Sequence, residues 1–235
     1  MTSAEIISQL KNLGSESIKK VLIKHGAREP FYGVKVEELK KIQKKIKKDY
    51  KLSMELFDSG ISDAMYLAGL IADPEKMTKR DIQRWAEKAY WYMLIEYPVA
   101  WVASESQYGK ELALEWIDSD EEKIACAGWA TLGVMASTHQ DEDLDLKLYK
   151  KLIERVGKEI HQSQNRVRYT MNGFVISAGA YISSLTEFAI KTGEKIGKVD
   201  VDMGGTACKV PLIPSYIAKV ESRGRLGQKR KTARC

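Results

Sequence analysis

The chain has 235 residues, 44% of them hydrophobic and 30% charged, with a net charge of +6. That length suits one large domain or two tightly fused ones, and the apolar content supports a core without disulfides or metal. No window approaches about 18 uninterrupted apolar residues, and Met1 to Leu10 lacks a basic start followed by an apolar block, so neither a membrane span nor a signal peptide is expected and the expected location is the cytosol.

Helix signals come in quick succession. Thr2 with Glu5 makes a capping-box pattern ahead of Ile6, Ile7 and Leu10, and Gly14 suits the stop. Ser15 opens the next helix, with Ile18, Val21 and Leu22 on one face and Gly26 at its end. After a turn through Pro30 and Gly33, Val36, Leu39, Ile42 and Ile46 recur at helical spacing. Lys40, Lys41, Lys44, Lys45, Lys47 and Lys48 fill the other face. Leu52 to Phe57 and Ser62 to Ala72 form the next pair, ended by Asp73-Pro74, and Thr78 with Asp81 starts another helix. The apolar stretch from Ala89 to Ala103 reads as a buried helix with a kink or break before Pro98. Further helices are expected over Glu111 to Ile117, Glu121 to Met135, Leu144 to Val156, Asn165 to Ala180 and Leu185 to Ile196. Helices of this length joined by short turns describe an α-solenoid or an irregular bundle, HEAT-like in shape and without strict repetition.

The period then changes. Val199, Val201 and Met203 alternate with Lys198, Asp200 and Asp202. After Gly204-Gly205, Thr206, Cys208 and Val210 alternate with Ala207 and Lys209. Two alternating runs around Gly-Gly predict a β-hairpin over 198–211. Pro211 and Pro214 end it, Ser215 to Val220 suit a last short helix, and 223–235 reads as a flexible basic tail. One domain over 1–222 is expected, hairpin included.

The charge is concentrated. Eight lysines against three acids from Lys35 to Lys51 leave +5, and six basic residues against one acid from Glu221 to Cys235 leave +5 again. That distribution favours an anionic partner such as nucleic acid, although either run alone also suits a solvated face. Cys126, Cys208 and Cys235 are odd in number and widely spaced, and His25, His139 and His161 lack paired-ligand spacing. Neither a disulfide framework, nor a metal site, nor a cofactor is expected. No phosphate-binding loop, dinucleotide glycine pattern or nucleophile elbow is present. Carboxylates fall on predicted exposed faces, with Glu96 as the exception, set in Trp91-Tyr92-Met93-Leu94-Ile95-Glu96-Tyr97. A carboxylate among aromatics suits an active-site group of raised pKa, or more simply a hydrogen-bonded Glu at a helix end.

Tyr32-Gly33-Val34-Lys35 leads into Leu39-Lys40-Lys41-Ile42, a Trp-bearing helix follows around Trp91, and Val167-Arg168-Tyr169 comes late. In order and spacing, over roughly residues 20 to 195, these resemble the bacterial DNA alkylation repair family, the HEAT-like-repeat DNA glycosylases. The resemblance implies a right-handed superhelix of helix pairs whose positive concave groove grips duplex DNA. It also implies removal of N3- and N7-alkylated purines without a deep base pocket. In that scheme aromatic residues contact the deoxyribose and an aspartate of a Trp-Asp-x-x-Asp segment stabilises charge on the sugar. Here the aspartate positions fall on Tyr92 and Ile95, and Glu96 is one residue out of register, about 100° around a helix. The arginines of the following helix are missing from Glu121 to Cys126, and Gly173 and Phe174 stand where a second tryptophan is expected. A catalytically silent branch with affinity for branched DNA carries an added hairpin, which Lys198 to Pro211 resembles.

The expected fold is therefore an all-α, right-handed superhelix of HEAT-like helix pairs with one C-terminal β-hairpin. The expected function is binding of branched or structured DNA, as a monomer, without base excision. Phosphate contacts are expected from Lys35, Lys40, Lys44, Lys47, Arg166, Arg168, Lys198, Lys209, Arg223 and Arg225, with Trp91 beside them. The alternatives are an alkylpurine glycosylase using Glu96 with Trp91, and a protein-binding HEAT scaffold gripping an acidic partner.

Overall fold

The computed structural model describes residues 1–234. Every regular element among them is helical, and no single helix is long and apolar enough to cross a membrane. The chain divides into two compact units, one of residues 1–112 with 203–207 and Arg234, the other of residues 113–202 and 208–233.

The first unit holds α1 (Ser3–Leu13), α2 (Glu16–Lys24), α3 (Val36–Ile46), α4 (Tyr50–Asp58), α5 (Ser62–Ile71), α6 (Lys79–Lys88), α7 (Tyr92–Leu94) and α8 (Ala100–Glu105). The expected caps form. Thr2 Oγ1 accepts from Glu5 N–H at 3.2 Å while Glu5 Oε2 accepts from Thr2 N–H at 2.8 Å. Thr78 and Asp81 repeat the box on α6. Asp49 caps α4 through Leu52 N–H at 3.0 Å. The core stacks Phe57 on Trp85 with ring centroids 3.9 Å apart, and sets Trp101 edge-on to both Tyr66 and Tyr97.

Between α7 and α8 the helix does not break at Pro98. It widens into a π-helical turn, Ile95–Val99. Proline lacks an N–H and its ring crowds the preceding turn, and a wider turn relieves both. Gly69 on α5 accommodates that ring, since a Cβ there would lie 2.6 Å from Pro98 Cβ.

The division between units falls inside α9 (Gly109–Trp116). The second unit continues with α10 (Glu122–Thr138), α11 (Leu146–Glu159), α12 (Asn165–Tyr181), α13 (Thr186–Ile196) and α14 (Ile213–Glu221). α10 packs along α12, where Gly133 faces Phe174 and Ser177, while Gly128 lies against Ala113 and Ile117; the rings of Trp129 and Tyr149 both contact Phe174. Tyr149 donates to Leu132 O at 3.0 Å, and burial pushes its phenol well above the usual range.

Two C-terminal expectations are corrected. No strand forms among the described residues, so the hairpin over 198–211 is absent and the segment is an extended loop. Its backbone is claimed by side chains of α12 instead of by a second strand. Arg168 Nη1 donates to Asp200 O at 2.8 Å, and Asn172 Nδ2 to Pro211 O at 3.0 Å. Asn165 donates to Asp202 O at 3.0 Å and accepts from Asp202 N–H at 2.8 Å. These three residues stand at i, i+3 and i+7, one face of the helix. A lone two-stranded ribbon has too little surface to bury, and the alternating apolar residues here are not on a common buried face. Val199 is buried, Val201 is half-buried and Cys208 is exposed.

The second correction concerns 223–235, expected as a flexible tail. Gly227 N–H donates to Ala180 O and Arg230 N–H to Ser137 O. Lys229 pairs with Asp141 at 2.7 Å and donates to Ala136 O. Ala233 is 1% exposed. In the first unit, Arg234 donates to Leu70 O and pairs with Glu105 at 2.8 Å. Two of the segment's six cations, Lys229 and Arg234, thus spend their charged heads on carbonyls and carboxylates outside the segment. Cys235 lies outside the described residues.

Candidate nucleic-acid interface

The lysine-rich helix α3 is positioned by Asp63, near the start of α5. Its carboxylate is 5% exposed and accepts from Tyr32 N–H at 2.6 Å and from Val34 N–H at 2.7 Å. Between them Gly33 has φ +74, and a Cβ on it would meet Ser15 O at 2.7 Å, so only glycine fits. Trp91 supports the same corner. It is 6% exposed and its indole donates to Ser62 Oγ at 2.8 Å. Tyr90 donates to Gly60 O at 3.2 Å, and burial raises its pKa. The Tyr-Gly-Val-Lys run thus acts structurally: it fixes where α3 begins, with Lys35 at its N-cap.

From that start, Leu39 and Ile42 are buried, and the lysines take the opposite arc. Lys40 and Lys44 stand at i and i+4, one turn apart on that arc, and Lys47 follows as the C-cap, with φ +66, just past the helical run. Among the described residues none of these three has a carboxylate within ion-pair distance. Lys35 lies 3.8 Å from Glu37, and Lys41 lies 2.6 Å from Glu38, whose hydrogen bond raises the Lys41 pKa. Acids in the first turn and lysines in the last complement the helix dipole, which lowers the cost of gathering so many cations.

The second unit holds the other expected contacts, and several are otherwise engaged. Arg168 is committed to Asp200 O. The Arg166 guanidinium lies 4.0 Å from the Tyr169 ring centroid, and its backbone N–H donates to Glu122. Lys198 pairs with Asp200 at 2.6 Å, and that hydrogen bond holds the Asp200 carboxyl below its ordinary range. Lys209, Arg223 and Arg225 are exposed, and among the described residues none pairs with a carboxylate.

Glu96 is half-buried on the π turn. Ile95 N–H donates to Trp91 O at 3.3 Å, the spacing of an ordinary α turn, so the acid position implied by the resemblance falls on Ile95, which is 5% exposed. The interior carboxylate that sequence reasoning missed is Asp63. Its signal was a lone acid inside Ser62–Ile71, a helix buried throughout. Asn165 and Asn172, which hold the loop, carried no such signal. No group of three or more His, Cys, Asp or Glu suited to a metal ion occurs among the described residues.

The chain is 32% identical over 229 residues to the uncharacterized protein Lin0241 of Listeria innocua, covering 95% of this chain and 99% of that one. The uncharacterized protein Lmo0209 of Listeria monocytogenes matches to the same extent. A solved structure is similar over 100% of both chains, with a TM-score of 0.93 and 36% identity. It is described as a new family of proteins related to the HEAT-like repeat DNA glycosylases with affinity for branched DNA structures. The fold of this chain is accordingly of the HEAT-like-repeat kind. The profile of the family described as DNA alkylation repair enzyme matches residues 6–196, and the chain belongs to that family.

Proposed function

We propose that this protein binds branched DNA through its phosphates and does not excise bases. The observation that carries the reading is the set of Lys40 and Lys44 on one face of α3 and Lys47 at its C-cap, left without carboxylate partners among the described residues, at a helix whose start Asp63 fixes. Phosphate contacts of this kind give affinity with little sequence choice, so preference must come from DNA shape. Lys209, Arg223 and Arg225 add exposed cations, and the affinity of the similar solved protein for branched DNA supports the same partner.

The test is competition between a labelled four-way junction and unlabelled duplexes of random and fixed sequence. The junction is expected to hold against roughly tenfold more duplex, with the two duplex sequences equivalent; ΔΔG of about 1.4 kcal/mol corresponds to that ratio. Duplex that competes as well as junction would end the branched-DNA reading.

Base excision is absent in this reading because Ile95 is apolar and buried where the reaction needs an acid. Purified protein incubated with methylated DNA is expected to release no 3-methyladenine or 7-methylguanine above background. Release that Glu96→Gln abolishes would establish the opposite, with Glu96 as the acid.

A further inference from the structure

The family profile stops at residue 196, and α14 lies beyond it. Ile213 and Ile217 are the buried residues of α14. At about 100° per residue, Tyr216 and Lys219 fall within about 60° of one another on a different side, with Leu212 at the N-cap and Arg223 two residues past the end of the helix. Leu212 is 47% exposed and Tyr216 is 44% exposed, one turn apart. Lys219 and Arg223 are exposed as well, and among the described residues no carboxylate pairs with either. Glu221, the acid of this helix, points to the opposite side by the same count.

An aromatic ring, an aliphatic neighbour and two unpaired cations, all exposed along one short helix and its two ends, are the parts of a single-strand contact. A base has a π face whatever its identity, so a tyrosine stacks on it without sequence preference, while cations beside it take the phosphates. We infer that these residues hold unpaired nucleotides of DNA, with Tyr216 stacking on a base, Leu212 packing beside it, and Lys219 and Arg223 taking the flanking phosphates. The inference rests on the DNA-binding reading and adds to it the strand state recognised by α14.

Fluorescence anisotropy on three labelled DNAs tests it: a duplex, a fully paired four-way junction, and a fork with an unpaired oligothymidine arm. Tyr216→Ala is expected to weaken fork binding about tenfold and duplex binding by less than about twofold. Tyr216→Trp, which keeps the stacking face, is expected to hold or exceed the wild-type affinity for the fork. Lys219→Ser is expected to lower the salt slope on the fork by about one. Thermal melting of each variant, expected unchanged for exposed positions, verifies that the fold is intact. Tyr216→Ala that leaves fork binding unchanged, or weakens fork and duplex alike, overturns the inference. If substituting the α3 lysines still abolishes duplex binding in that case, the DNA-binding reading survives without this contact. Wild-type protein that binds none of the three DNAs sinks both.

Discussion

Asp63→Ala is expected to destabilise the protein by about 3–5 kcal/mol, since two hydrogen bonds to a charged acceptor contribute about 1.5–3 kcal/mol each and their donors would be left unpaired. The carboxylate is the acceptor for both Tyr32 and Val34, at 2.6 and 2.7 Å, and water has little access to replace it. Asp63→Asn keeps the shape but turns one oxygen into a donor facing an N–H, so it is expected to fall between alanine and wild type. For a chain of this size the alanine variant should melt roughly 10 °C lower. Denaturant titration provides the energy, and a loss below about 1 kcal/mol would show that the corner at Gly33 is held by something else.

The second large effect concerns binding alone. Changing Lys40, Lys44 and Lys47 together to serine is expected to cost roughly a hundredfold in DNA affinity at low salt and to flatten the log–log salt slope by about 3. Lys44 and Lys47 are exposed, Lys40 is half-buried, and none has a carboxylate partner among the described residues, so melting should move little, or rise slightly as like charges are removed from Lys40 and Lys44, one turn apart. Lys41→Ser is the internal control, because Glu38 already neutralises that ammonium at 2.6 Å. A triple variant that keeps its full salt slope would place the phosphate contacts elsewhere.

The helical series was legible because its boundaries are written in local chemistry. Thr2 with Glu5, Ser15, and Thr78 with Asp81 each satisfy backbone groups within three residues, and such bonds need no knowledge of the rest of the fold. The loop after α13 was misread for the converse reason. Its alternation of polar and apolar residues fits a strand, but its partners are Asn165, Arg168 and Asn172, about 30 to 40 residues away, and a pattern of hydropathy does not encode who will bind a carbonyl. The same limit applies to the cations. Composition shows that Arg168, Lys229 and Arg234 are basic; only the fold shows that they are spent on Asp200, Asp141 and Glu105. The lysines of α3 were legible as a surface because their periodicity opposes that of Leu39 and Ile42.

The π turn at Ile95–Val99 also affects how this chain is compared with its kin. A turn that closes i to i+5 houses one residue more than an ordinary helical turn. From Ala100 onward, therefore, each residue lies one place later in the chain than it would after an unbroken helix. An alignment that counts straight through from Trp91 will slip by one at α8, pairing Trp101 with the wrong neighbour in any relative whose helix is regular there. A single-residue gap placed within Ile95–Val99 restores the match.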